Sequence, residues 1–170
     1  MRQEPIDPAG IQWTRVSPSY AKVRMVGWAI GALITLLVLS VPLVLVLTGV
    51  WDGFPLWLAI AAPAVVVAVE VIRLVLIPRQ VAAIGYAERE DDLLVRHGLM
   101  FQKVLVVPYG RMQFVDVAVG PIDRMLGLCK VKLHTAAADA TAEIPGLPVA
   151  EGTRLREQLA ARGESRLAGL

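Results

Sequence analysis

Residues 25–77 read MVGWAIGALITLLVLSVPLVLVLTGVWDGFPLWLAIAAPAVVVAVEVIRLVLI, two apolar runs around the short turn WDGFP. The first run, Met25 to Trp51, holds 27 residues and no charge, where about 20 apolar residues suffice to cross the hydrocarbon core of a bilayer. The second, Pro55 to Ile77, is of the same length class and carries Glu70 and Arg73 in its last two turns. Transmembrane helices are therefore predicted over 25–51 and 55–77. The Gly- and Pro-containing link between them is too short for anything but a tight helical hairpin. Trp51 and Trp57 flank that turn and Trp28 sits near the opposite end, where indole rings prefer the membrane interface.

Basic residues near helix ends are retained on the cytoplasmic side. Lys22 and Arg24 precede the first run, Arg73 and Arg79 close the second, and the turn carries only Asp52. Both termini are predicted to be cytoplasmic. A cleaved secretory signal is disfavoured, because the apolar run is too long, starts late and is followed at once by another. Glu70 and Arg73, three residues apart, share a helical face and can pair, with the Arg73 head reaching the interface. Ionisable groups at membrane depth are candidates for function. The pair reads first as an interfacial pair that sets depth or helix contacts; the alternative is a channel or transport component, which needs an oligomer because the first helix supplies no such group. Pro42 and Pro63 are expected to kink their helices.

This apolar half explains an unusual average: 170 residues, 56% hydrophobic and 19% charged, with mean hydropathy +0.59. The split composition excludes a disordered chain, a coiled-coil rod and a soluble enzyme of one domain. Around the helices lie an N-terminal segment, 1–24, a second domain, 79–163, and a tail, 164–170. Of 17 basic and 15 acidic residues, 80–170 holds 11 of each. A neutral domain without a Lys and Arg run lacks the footprint that phosphate-backbone binding needs, so nucleic acid is not an expected partner. The single cysteine, Cys129, forms no internal disulfide, and no CxxC or Cys/His cluster offers a zinc site.

After Pro78 the texture turns to short alternating segments broken by Gly, Pro and Asp, as in a small antiparallel domain. Strands are predicted within 81–90, at LLVRHG after the Asp91-Asp92 turn, at 99–108, at 111–120 beyond Tyr109-Gly110, at 129–135 and at 142–145. In the clean alternation of 129–135, Cys129, Val131, Leu133 and Thr135 point one way, and Lys130, Lys132 and His134 the other. A last helix is predicted from Pro148 to Gly163, with Leu155 and Leu159 four apart on its apolar face. One such helix closing a small sheet or barrel gives an all-β or α+β domain. Seven or so strands and a final helix also fit the outline of a pleckstrin-homology-like barrel.

This half carries few groups suited to catalysis. It offers only Ser165, Cys129, His97 and His134 for nucleophile and base, with no GxSxG elbow, GxxxxGK[ST] loop, HExxH or GxGxxG. Cys129 on an inward strand face reads as core, and His97 and His134 read as exposed strand residues. No enzyme activity, cofactor or metal site is expected. The one basic cluster is Lys130, Lys132 and His134 with Lys103, the candidate for contact with anionic lipid.

The segment VPYGRMQFVDVAVGPIDRMLGL (107–128), followed by KVKLHTAAA (130–138), resembles the signature of the bacterial membrane-anchored pleckstrin-homology-like family, often labelled YdbS-like. The matching residues are Pro108, Arg111, Gln113, Val115, Gly120, Pro121, Arg124, Gly127, Leu128, Thr135 and Ala136, with Asp92, Leu93, Arg96 and Gly98 upstream. The two apolar runs and Ile144-Pro145-Gly146-Leu147 fit the same layout, so the likeness spans 20–163. The Ala-rich stretch 136–142 departs from it and reads as a loop. The resemblance implies a helical hairpin carrying a small, mainly-β barrel with a C-terminal helix at the inner membrane of a bacterium. It implies no activity. Related domains act through oligomers and protein contacts. Gly120-Pro121 can form a tight turn that starts a short helix. Around it Arg111, Gln113, Asp116, Asp123 and Arg124 either brace the turn or form a partner-binding surface. The expected role is a non-enzymatic scaffold or self-association module, in envelope maintenance or stress, partnered by the bilayer and by its own copies or another membrane protein. Anionic-lipid binding is the alternative for the barrel.

Overall fold

The described residues form a short strand, two long helices, then six strands and two further helices. The computed structural model describes residues 11–135 and 142–168, with the side chains of 164 and 166–168 left out; most of the Ala-rich stretch, 136–141, lies outside the described residues. In order these are β1 (Thr14–Arg15), α1 (Tyr20–Leu47), α2 (Leu56–Ala82), β2 (Gly85–Glu88), β3 (Asp92–His97), β4 (Lys103–Pro108), β5 (Met112–Ala118), α3 (Pro121–Met125), β6 (Leu128–Thr135), β7 (Ala142–Pro148) and α4 (Val149–Ala168). They form two compact units, one from Lys22–Ile77 and the other from the residues on either side of it.

In the helical unit, α1 and α2 are long and apolar enough to span a bilayer, with window hydropathies of 2.8 and 2.4. Large side chains such as Leu33, Leu37, Val38 and Val65 are exposed, a surface suited to hydrocarbon rather than water. Their hydroxyl residues are satisfied within the helix: Thr35 donates to the Gly31 carbonyl at 2.9 Å and Ser40 to Leu37 at 2.7 Å, which removes the cost of an unpaired donor in lipid. Helix α1 starts five residues earlier than its apolar run and ends at Leu47, before Trp51, where Gly49 turns left-handed. Helix α2 runs past Ile77 to Ala82 with Pro78 inside it, so the strand predicted from Val81 begins only at Gly85.

The other unit is two antiparallel sheets, β1-β2-β3-β4 and β5-β6-β7, with α4 packed on β5, β6 and β7. The expected mainly-β domain with a terminal helix is present, but its ladder does not close into a barrel. The chain passes from β4 to β5 through a 3-10 turn, Tyr109–Arg111, whose tight winding moves it from one sheet to the other. The core joins Tyr86, Leu93, Val95 and Tyr109 of one side to Val131, Leu133, Ile144 and Leu147 of the other, closed by Leu155 and Leu159 of α4.

Three details were not readable from periodicity. Thr14 and Arg15 leave the N-terminal segment to pair with Tyr86 and Gly85, adding an edge strand to the first sheet. Residues 99–102 form a loop, not the start of β4. Helix α4 does not stop at Gly163. Arg162 donates to the Tyr109 hydroxyl at 2.9 Å and the Arg89 carbonyl at 3.1 Å, fixing the last turns against the domain. Gly163 is buried inside the helix, its backbone close to the Tyr109 carbonyl.

Candidate functional site

Among the described residues strand β5 pairs with β6 alone, so its outer backbone edge carries no strand partner there. Register places Val115 opposite Leu133 and Val117 opposite Val131 on the inner face, and Phe114 opposite His134 and Asp116 opposite Lys132 on the outer. A bulge between Met112 and Phe114 turns this edge. Between it and α4 lies a groove of about 580 Å³, walled on one side by Met112 to Val115 and on the other by Arg156, Glu157, Leu159, Ala160, Ala161 and Gly163. Ala160, Ala161 and Gly163 leave this width because they carry little or no side chain. Phe114, 57% exposed, stacks on His134 with centroids 4.1 Å apart.

The Gly-Pro turn at the end of β5 forms as its residues dictate. Gly120 caps α3, Pro121 takes its first turn, and Arg124 N–H closes onto the Gly120 carbonyl at 2.9 Å. Asp123 is buried, and its Oδ1 has no hydrogen-bond partner. Arg111, Gln113, Asp116 and Arg124 are exposed. Among the described residues none of these four has a side-chain hydrogen bond or ion pair.

The basic residues of β6 are balanced by acids. Lys130 pairs with Glu143 at 3.1 Å, whose hydrogen bond holds the lysine's pKa above its ordinary value. Lys132 lies opposite Asp116 on one side and Glu143 on the other. Lys103 belongs to the other sheet, paired in register with His97. Both histidines depart from the exposed reading. His97 is half-buried, and burial lowers its pKa; His134 lies against Phe114. Cys129 is fully buried, and burial pushes its thiol pKa up, the setting of a core residue.

In the helical unit Glu70 is buried and joined to Arg73 at 3.0 Å. By sequence Trp28 is an interfacial ring. Its indole N–H donates to Glu70 Oε2 at 2.7 Å, linking α1 to α2. No local pattern marks that pair, 42 residues apart in the chain.

A second cluster was also missed. Glu151 accepts from the Tyr86 hydroxyl at 2.5 Å and from Arg154 Nε at 2.9 Å, and Arg154 reaches Glu88 at 2.7 Å. The Arg154 guanidinium, with the Tyr86 hydrogen bond, holds the Glu151 carboxyl down at about 2 against opposing desolvation. Burial pushes the Tyr86 phenol well above its usual range. The signal available in sequence was the Glu151 and Arg154 spacing of three on one helix; the strand partners follow only from the fold. This cluster bolts α4 to β2.

The model of the family described as Bacterial PH domain matches residues 21–163. The UPF0699 transmembrane protein YdbS of Bacillus subtilis (strain 168) is 27% identical over 147 residues, covering 85% of this chain and 89% of the relative. No solved structure matches.

Proposed function

The chain belongs to the bacterial PH domain family, and we propose that it is a non-enzymatic membrane protein whose PH-like domain takes an extended polypeptide segment along the open edge of β5. The groove between β5 and α4 carries this reading. An unpaired strand edge supplies regularly spaced backbone donors and acceptors, and a second strand is their natural complement. Exposed Phe114 offers an apolar anchor, and exposed Arg111 and Gln113, neither with a side-chain partner among the described residues, offer polar contacts. The segment comes from another membrane protein or from a second copy of this chain. The hairpin holds the domain at the cytoplasmic face of the cell membrane, a topology supported by Lys22, Arg24, Arg73 and Arg79 outside the turn and Asp52 within it.

The competing lipid reading, through Lys103, Lys130, Lys132 and His134, has less support because acids face the β6 lysines. A transport role for Glu70 and Arg73 has less support because Glu70 is engaged with both Arg73 and Trp28.

The test is extraction of the full-length protein into native nanodiscs, mass determination, and comparison with Ala160→Arg, which fills the groove from an exposed helix position. A stoichiometric protein partner or discrete homo-oligomer that Ala160→Arg abolishes, with thermal stability retained, supports the proposal. The same assembly in the variant, or a bare monomer from both, contradicts it.

A further inference from the structure

The loop between β3 and β4 carries three consecutive large apolar residues. Leu99 is 40% exposed, Met100 84% and Phe101 90%. A hairpin tip facing water is expected to be polar, and a run of exposed apolar residues is a solubility cost unless something covers it. The loop is tightly built. Gly98 has φ +98°, and a Cβ there would overlap the Phe101 carbonyl oxygen, so the backbone folds across Gly98.

Strand register shows which end of the sheet this loop occupies. Arg15 pairs with Gly85, Gly85 with Arg96, and His97 with Lys103. The loop therefore extends from the end of the sheet where β2 begins, three residues after the last residue of α2. From Ile77, the end of the apolar run, five helical steps of about 1.5 Å and three extended steps of up to about 3.5 Å bring the chain to Gly85, a reach of at most about 18 Å.

Charge follows the same axis. Arg15, Arg96 and Lys103 lie across this end, just behind the apolar tip, with Arg96 seated over the Trp13 ring at 4.7 Å. The opposite end, around the turn from β2 to β3, holds Glu88, Glu90, Asp91 and Asp92, with Arg89 paired to Asp92 and with Arg154 and Arg162 of α4 reaching Glu88. An apolar tip backed by a basic row is the arrangement that suits a bilayer surface: acyl chains receive the tip and lipid phosphates the row.

We propose that Leu99, Met100 and Phe101 form a wedge that enters the leaflet on the domain's side of the membrane, making the loop a second membrane contact beside the hairpin. This site is separate from the β5 groove, and its test reads lipid contact rather than assembly.

Spin labels are placed on Met100→Cys and Phe101→Cys in the full-length protein in nanodiscs of phosphatidylglycerol and phosphatidylethanolamine, with Glu90→Cys as the distal control. All three sites are exposed, and the native Cys129 is fully buried and inaccessible to the label. Power saturation with oxygen and a water-soluble nickel complex then reports depth. The expected result is an oxygen-to-nickel accessibility ratio several-fold higher at 100 and 101 than at 90. Equal, water-like ratios at all three sites overturn the proposal. Exclusion of both reagents at 100 and 101 also overturns it, because that is the signature of a protein contact.

Discussion

Gly152 lies on α4 where the helix crosses β6, and a Cβ built there overlaps Cys129 Sγ. Gly152→Ala sets two opposed effects against each other. Overpacking a dense core costs about 1–3 kcal/mol, while Ala in place of Gly in a helix interior recovers about 0.8–1 kcal/mol. The net expectation is a loss of up to about 2 kcal/mol, dominated by the thiol because its single torsion gives it little room in a fully buried site. The next neighbours of that Cβ are ordinary contacts, Val131 Cγ2 at 3.6 Å and Val117 Cγ1 at 3.8 Å. In a Cys129→Ala background the same substitution should therefore change sign and stabilise by about 0.8–1 kcal/mol. Thermal unfolding of the four full-length proteins in nanodiscs, with hydrogen exchange at β6 amides as the local readout, measures both effects. Each 1 kcal/mol corresponds to about 4–8 °C in Tm for a domain of this size. Gly152→Ala acting with the same sign and size in both backgrounds would refute the idea that the contact with Cys129 sets how closely α4 approaches the sheet.

Three further outcomes follow from the contacts described. Glu151 has its folded pKa at about 2, below its ordinary 4.5, so its contribution to stability is present above pH 4.5 and is lost as pH falls toward 2; Glu151→Gln should flatten the Tm profile across that window and leave its shape unchanged above pH 6. Trp28→Phe removes the donor to Glu70 and should destabilise the hairpin by about 0.6–2 kcal/mol, measured by denaturant titration of the full-length protein in mixed micelles, with no loss arguing against the indole as an interhelical tie. Arg162→Ala removes the anchors to Tyr109 and the Arg89 carbonyl, and amides of residues 163–168 should exchange faster while those near Leu155 hold; uniform protection would place the anchor elsewhere.

The hairpin was legible because an uninterrupted apolar run of bilayer length has few other uses, and β6 because Cys129 to Thr135 alternate without a break. Local signals failed where tertiary contacts decide. Gly163 looks like a helix stop, yet Arg162 carries α4 past it. Pro78 looks like the end of α2, yet the helix continues to Ala82. Thr14-Arg15 has no strand pattern and becomes one only because β2 presents an edge. The motif around Gly120-Pro121 is legible in sequence, but the burial of Asp123 within it is not, because only the fold decides which of its charged residues turns inward. The groove itself was not legible, because its walls are small residues on α4 and the unpaired side of β5, a relation that exists only after folding. The exposed tip at Leu99 to Phe101 read as a strand because apolar residues alone do not distinguish a buried strand from an apolar loop.

Site-specific photo-crosslinking tests the central claim most directly. A photoreactive residue at Gln113, exposed on the β5 edge, is compared in cell membranes with one at Glu90, exposed on the turn between β2 and β3 and outside the groove lining. The account predicts a discrete protein adduct at position 113 and not at 90, with the cross-linked peptide an extended segment of a partner or of a second copy, and its loss in Ala160→Arg. Identical adduct patterns at both positions, or a position-113 adduct that persists when the groove is filled, would contradict it.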